Sequence, residues 1–567
     1  MHKWIITVLI LMLMLPAGAY AASGVEDLWV TGAAGETAAM NEAALSPSGD
    51  AVRWWYSSRS RKYYLFLPAC ADLSTMKIWF NADQESIMIG DTPVKSGDSA
   101  AFLTPGTDLI VEAGSKNYTL SVMQSANIPA MFITTESGSV KHIHSSKRNA
   151  ETGSLVMLNA DGSFEYNGLL SQVKGRGNST FAHPKKPYQI KLEDSKNLCG
   201  MGKAKTWVLL ANYDDNSLLR NTIAFAIAQA VGLEYTSKSQ AVDLYINNDY
   251  MGSYLLCEKV EIHENRVAIT DLEKATEKVN ENPLEEYPAF TASKKNQGSS
   301  KGTNIPNNPE DITGGYLLEL EKPHRYTPEI SGFKTIKGLP VVIKEPEYSS
   351  REQVAYVKDM IQSFENAIFS KDGIDKDSGK HFTELVDLDS LVKKYILEEI
   401  GKNFDANRSS FYLYKPVDAQ SIKFFAGPVW DYDIAFGNFA KEKLVAPTLP
   451  DGFYANNDKG TGFYWFPALY KQPEFYEQAV AIYHQAFVPA VNVLLGLKKD
   501  PDGDILSIDE YANEVEASAA MNFTRWKVFN SENRPVQTGK DYPENISYLK
   551  SFLEKRMAFL SANWPKP

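Results

Sequence analysis

Asp405 and Asp431 each stand at the inner end of an apolar, aromatic run. NFDANRSSFYLY spans residues 403–414 and GPVWDYDIAFGN spans 427–438, with the strand-like IKFFAG between them. A carboxylate in such surroundings is costly unless it binds a metal, takes a proton or is tied down. The two residues are 26 positions apart, which suits a hairpin with strands SSFYLYK and IKFFAGPVW. Antiparallel pairing then brings Asp405, before the first strand, beside Asp431, just after the second. A fold that contains this hairpin must gather both carboxylates at one end of a sheet.

The rest of the chain is large enough to build around such a site. Its 567 residues predict about three to four domains. A composition of 44% hydrophobic and 23% charged residues allows large cores. The net charge of −12 argues against a nucleic-acid partner, because phosphate neutralisation needs basic surface.

The N-terminus, MHKWIITVLILMLMLPAGAYAAS, has a basic start, an apolar run from Trp4 to Leu15 and small residues at its exit. Ala19 and Ala21 fit the A-x-A rule, so residues 1–21 read as a signal peptide cleaved after Ala21. The alternative is a membrane anchor, for which the apolar run is short. A secreted or cell-surface protein is expected, with no membrane span after signal removal. Three cysteines, Cys70, Cys199 and Cys257, allow at most one bridge. Cys199 with Cys257 and three buried thiols are the two readings.

Residues 22–50 are Ala/Gly/Glu-rich and read as a linker. Residues 51–126 hold KYYLFLP, MKIWFN, SIMIG, DLIVEAG and NYTLSVMQ, short runs broken by Gly, Asp and Ser. Such spacing predicts a small β-sandwich-like module. Its VRWWYSSRSRKYY segment is aromatic enough to bind carbohydrate or another surface polymer, although Trp and Tyr on strands are more often core. Residues 127–500 mix strands and helices, so the overall class is α+β. GSLVMLNADGSFEYNG reads as a hairpin turning at Asp161-Gly162. Helices are expected over 217–233, 350–369 and 387–400. The polar stretch 274–313 reads as an exposed, mobile insertion. Residues 501–567 read as a helical extension packed on this domain.

KGRGNST, KKPYQIKL, WVLLANYDDNSLLRNTIA, VDLYINNDYMGSYLLCEKVEI, FDANRSSFYLY and GPVWDYDIAFGN follow one another in this order. Together they resemble the CotH (spore coat protein H) kinase-like family over about residues 130–480. The resemblance implies an atypical protein-kinase-like catalytic domain that binds ATP with Mg²⁺ or Mn²⁺. It implies phosphorylation of Ser or Thr on a protein substrate, with extracellular, cell-surface or spore-coat partners.

Phosphoryl transfer needs cations on the nucleotide phosphates, carboxylate-held metal and a carboxylate near the attacking hydroxyl. By resemblance, Lys191 in YQIKL matches the strand lysine of kinases and would reach the α/β-phosphates. Otherwise it is a surface lysine on an alternating strand, with Lys185 and Lys186 as substitute cations. Gly175 and Gly177 flank Arg176, so backbone N–H groups and a guanidinium could cover phosphate. Asp405 is the expected base. Ser410 stands five positions later, where kinases place a metal-binding Asn. Asp431 is the expected metal ligand, with Asp433 as a second; otherwise the two cap a turn. Glu258 falls where a kinase hinge meets adenine. Asp214 and Asp215 are candidate partners of Lys191. His142 and His144 read as two solvated histidines. Two function classes result: an active secreted kinase, and a non-catalytic surface or spore-coat protein on a kinase-like frame. Ser410 and the scarcity of extracellular ATP favour the second; Lys191, Asp405 and Asp431 favour the first.

Overall fold

Short strands and long amphipathic helices both appear in the computed structural model, which describes residues 24–32, 51–293, 298–406, 409–439, 446–457, 465–529 and 539–566. The fold is α+β. The chain divides into two compact units. The first takes the described residues up to Leu67, then Ala71–Gln124 and Asn248–Tyr250; the second takes Pro68–Cys70, Ser125–Asn247 and everything from Met251 on.

The first unit holds a four-stranded and a six-stranded sheet. The stretch expected to be a linker begins with a strand instead, Val25–Thr31, paired antiparallel with Lys77–Ala82. Leu28, Trp29 and Val30 are all buried, so this strand is covered on both faces. The Ala/Gly-rich text that follows, residues 33–50, lies outside the described residues, as does the expected signal 1–21.

The second unit opens with a closed seven-stranded barrel. Its strands run, in spatial order, Ala130–Thr135, Ala150–Leu158, Phe164–Gly175, Tyr188–Asn197, Lys203–Leu210, Asp249–Glu258 and Ser239–Ile246. Alternate residues Tyr188, Ile190 and Leu192 fill its interior with Val173, Trp207 and Leu256. The expected Asp-Gly turn is present: Gly162 has φ +85°, and the Ser163 N–H donates to Asp161 Oδ1 at 2.9 Å.

A seven-stranded sheet follows, ordered Ala289–Ser293, Ser299–Thr303, Gly332–Lys334, Pro340–Glu345, Tyr316–Leu320, Phe411–Lys415 and Phe425–Ala426. The polar stretch 274–313 is therefore not a loop: it supplies the first two strands. Ladder bonds come from the backbone, so polar residues can form an edge hairpin. Residues 294–297 at its tip are outside the described residues.

The expected helices form at Arg220–Ala230, Arg351–Phe369 and Leu388–Gly401. Ser350 and Gln353 close a capping box on the second, and Asp387 caps the third. The C-terminal helices Ile508–Arg525 and Tyr542–Asn563 are integral to the unit. Buried Arg556 donates to Glu399 Oε1 at 2.6 Å and to the Pro450 and Gly452 carbonyls at 2.8 Å. Residues beyond 500 belong to the same compact unit as the barrel and the seven-stranded sheet. Among the described residues, no helix is long and apolar enough to cross a membrane. The three cysteines are free thiols.

Candidate active site

Leu413 pairs with Ala426 and Tyr414 with Phe425, so the hairpin that should unite the two acidic runs exists. Asp405, Ser410, Asp431 and Asp433 line one cavity of about 1030 Å³. The barrel supplies Lys174, Arg176, Gly177 and Gln189 to its wall, and the sheet supplies Glu319, Glu321, Lys322 and Arg325.

Local geometry holds each acid in place. The helix Leu388–Gly401 ends on Lys402 in the left-handed region, and the Asp405 N–H donates to Asn403 Oδ1 at 3.1 Å. Lys322 Nζ donates to Asp405 Oδ1 at 2.6 Å. Ser410 Oγ donates to Asp431 Oδ2 at 2.9 Å. Ser410 and Asp431 both have left-handed backbones, φ +57° and +72°. Two non-glycine residues in that region, bonded to each other, are a strained pair kept by their surroundings. Ser409 donates to Glu321, and Arg325 donates to Ser409 Oγ at 2.8 Å. The Asn438 side chain donates to the carbonyls of Asp433 at 2.6 Å and Asp214 at 2.7 Å.

The electrostatics are two-sided. Burial pushes the Asp431 carboxyl up, and the Asp405 charge adds to it, against Ser410 and Arg325. Asp433 is held well above its ordinary value by burial, then by Asp431 and Asp214. Burial lifts Glu319 to about 8, opposed by Lys344. Glu321 is raised by burial despite Ser409 and Arg325. Facing these acids, Arg176 lies over the Trp430 ring, 5.5 Å from its centroid. Burial lowers the pKa of Arg176 and of Lys174. Acids and cations interleave in this cavity, with Lys322 on Asp405 and Arg325 beside Glu321, a mixture that suits a divalent metal beside phosphate oxygens.

Among the described residues, no three His, Cys, Asp or Glu side chains converge tightly enough to hold a metal ion by themselves. Magnesium needs only one or two carboxylates and completes its shell with water and phosphate. Asp431 and Asp433, buried and charge-strained, fit that smaller demand. Gly177 has φ +87°, and a Cβ there would meet Thr180 Oγ1 at 2.3 Å, so glycine is required beside Arg176.

Other expected residues stand elsewhere. Lys191 is exposed on its strand and does not line the cavity; Gln189 and Lys174 occupy that wall instead. Glu258 is also away from the cavity: it is buried, pairs with Arg266 Nη1 at 2.8 Å and accepts the Lys238 N–H at 2.8 Å. Lys185 is buried, donating to the Ala211 carbonyl at 2.7 Å and Asn522 Oδ1 at 2.8 Å. Asp214 does line the cavity but pairs there with His183 at 2.8 Å, and Asp215 pairs with Arg220, so neither serves Lys191. His144 bonds the Tyr188 hydroxyl at 2.7 Å, and burial lowers its pKa to about 4, unlike a solvated histidine.

Sequence reasoning missed Glu319, Glu321, Lys322 and Arg325. Their signal was GYLLELEKPHR, an apolar strand punctuated by acids like those that marked Asp405 and Asp431.

Residues 173–560, more than half of the chain, match the family described as CotH kinase protein. The chain belongs to the CotH kinase protein family. Compared with the curated proteins, it matches none. The match begins just ahead of Arg176 and ends within the last helix. It therefore spans the whole cavity except Lys147 and Arg148, and it takes in the C-terminal helices.

Proposed function

We propose that the chain is a secreted atypical protein kinase of the CotH type, with a kinase-like catalytic domain. It would transfer the ATP γ-phosphate to a Ser or Thr hydroxyl of an extracellular or spore-coat protein. One observation carries this reading: Asp405, Ser410, Asp431 and Asp433 share a cavity with Arg176, Lys322 and Arg325. Asp431 and Asp433 would hold Mg²⁺ or Mn²⁺, which neutralises charge on the β- and γ-phosphates when bound. Arg176 and Lys322 would orient phosphate oxygens. Asp405 would take the proton as the acceptor O–H breaks, the new O–P bond forms and ADP leaves. Export rests on the A-x-A exit at Ala19 to Ala21.

A second reading, a non-catalytic surface or spore-coat protein, is favoured by the exposed Lys191 outside the cavity and by Ser410. The chain from Ala22, incubated with labelled ATP and Mg²⁺ or Mn²⁺, separates the two. Asp405→Asn should keep nucleotide affinity yet lose about 10²-fold or more of transfer. Asp431→Asn should weaken metal and nucleotide binding together. Unchanged transfer in Asp405→Asn would remove the base role. Neither nucleotide binding nor label incorporation in the wild type would establish the second reading.

A further inference from the structure

The strand Trp55–Ser57 forms the edge of the six-stranded sheet, beside Lys62–Leu67. Their register sets Trp55 opposite Tyr64 and Tyr56 opposite Tyr63. Opposed side chains share a face, so both faces of this hairpin carry a pair of rings. On one face, Tyr64 and Phe66 lie nearly parallel with centroids 5.7 Å apart, and Trp55 stands 6.1 Å from each. On the other, Tyr56 leans on Tyr63 at 4.9 Å, and Tyr63 stacks on Trp54 at 3.9 Å.

Burial sorts these rings into anchors and contact surface. Trp54 and Phe66 are core residues. Trp55, Tyr63 and Tyr64 are half-buried, and Tyr56 is 47% exposed. Trp55 and Tyr64 lie on the face opposite Tyr56 and Tyr63, so the stacking platform is the exposed Tyr56 ring, held from behind by Tyr63, with little entropy left to lose.

The turn at the end of this platform is basic. Arg59 and Arg61 are exposed, and among the described residues neither has an ion-pair partner. Their neighbours are neutralised: Lys62 pairs with Asp108 at 2.5 Å and Arg53 with Asp27 at 3.0 Å. The turn itself is fixed, with the Arg61 N–H donating to the Ser57 carbonyl at 2.8 Å and Tyr64 donating to Ser60 Oγ at 3.2 Å. On a chain of net charge −12, two unopposed guanidiniums beside exposed rings form a local exception.

We propose that the hairpin from Trp55 to Leu67 binds an acidic polysaccharide. The apolar C–H faces of its sugars stack on Tyr56 and Tyr63, and its carboxylates are forked by Arg59 and Arg61. A neutral glycan leaves the two guanidiniums unused. A nucleic acid demands far more phosphate neutralisation than two arginines on an acidic chain supply. This surface is independent of the proposed phosphotransfer, and its failure would leave that reading intact.

The test is calorimetric titration of the chain from Ala22 with oligogalacturonate, beside uncharged dextran oligosaccharides. Oligogalacturonate should bind, more weakly as salt rises. Affinity should fall about tenfold or more in the Arg59→Ala/Arg61→Ala double variant and in Tyr56→Ala. The arginine changes should leave the melting temperature unchanged, which separates lost binding from lost folding. No binding of oligogalacturonate, equal affinity in the variants, or a preference for dextran would each overturn the proposal.

Discussion

Glu319→Gln tests whether burial governs the charge of the cavity. Glu319 is 8% exposed on the strand Tyr316–Leu320, with Lys344 Nζ 3.8 Å from Oε2. Burial raises its carboxyl from 4.5 to about 8, with Glu321, Glu329 and Asp431 adding to the rise and Lys344 opposing it. Between those two pH values, the folded protein keeps a proton that the unfolded chain has released. Stability from this group is therefore complete below pH 4.5 and is lost as pH rises through about 8. The rise is worth about 5 kcal/mol between the two protonation states, taken as a ceiling. Glutamine keeps the shape and cannot ionise. At pH 5 variant and wild type should agree within about 1 kcal/mol. At pH 9 the variant should be more stable by several kcal/mol, about 5 °C in Tm for a unit this large. Calorimetric melts across pH 5 to 9 measure this, following one transition throughout because the chain has two units. Parallel pH profiles for the two proteins would refute the argument.

Lys191→Ala should leave nucleotide affinity within about twofold, because Lys191 does not line the cavity, whereas Lys322→Ala should weaken nucleotide binding by about tenfold; equal losses measured by calorimetry would contradict that distinction. Arg556→Met should destabilise the protein by about 3–5 kcal/mol, since it strands the buried Glu399 carboxylate and leaves the Pro450 and Gly452 carbonyls without their donor; an unshifted urea midpoint would count against it. Exported protein should begin at Ala22 or a neighbouring residue, and mass spectrometry that found an intact Met1 would refute cleavage.

Residues close in sequence were readable without the fold. Asp405 and Asp431 could be brought together on paper because one hairpin joins them, and a hairpin's ends meet whatever surrounds it. The helices over 351–369 and 388–401 were legible because their apolar period and capping residues are local signals. Even the turn at Asp161-Gly162 needed only its own chemistry.

What tertiary structure decided was which side of each element faces the cavity and which distant residues arrive there. Alternation placed Tyr188, Ile190 and Leu192 on one face of their strand, but only the fold decided that on the opposite face Gln189, and not Lys191, lines the cavity. Lys322 reaches Asp405 from 83 residues away, because Leu320 pairs with Phe411 in the sheet. Glu258 looked available until the chain folded Arg266 against it. The polar run near residue 300 gave no strand signal, since edge pairing draws on backbone groups that every residue carries. Periodicity and turn chemistry act within a few residues, whereas burial, charge pairing and the shape of a cavity exist only after remote segments meet.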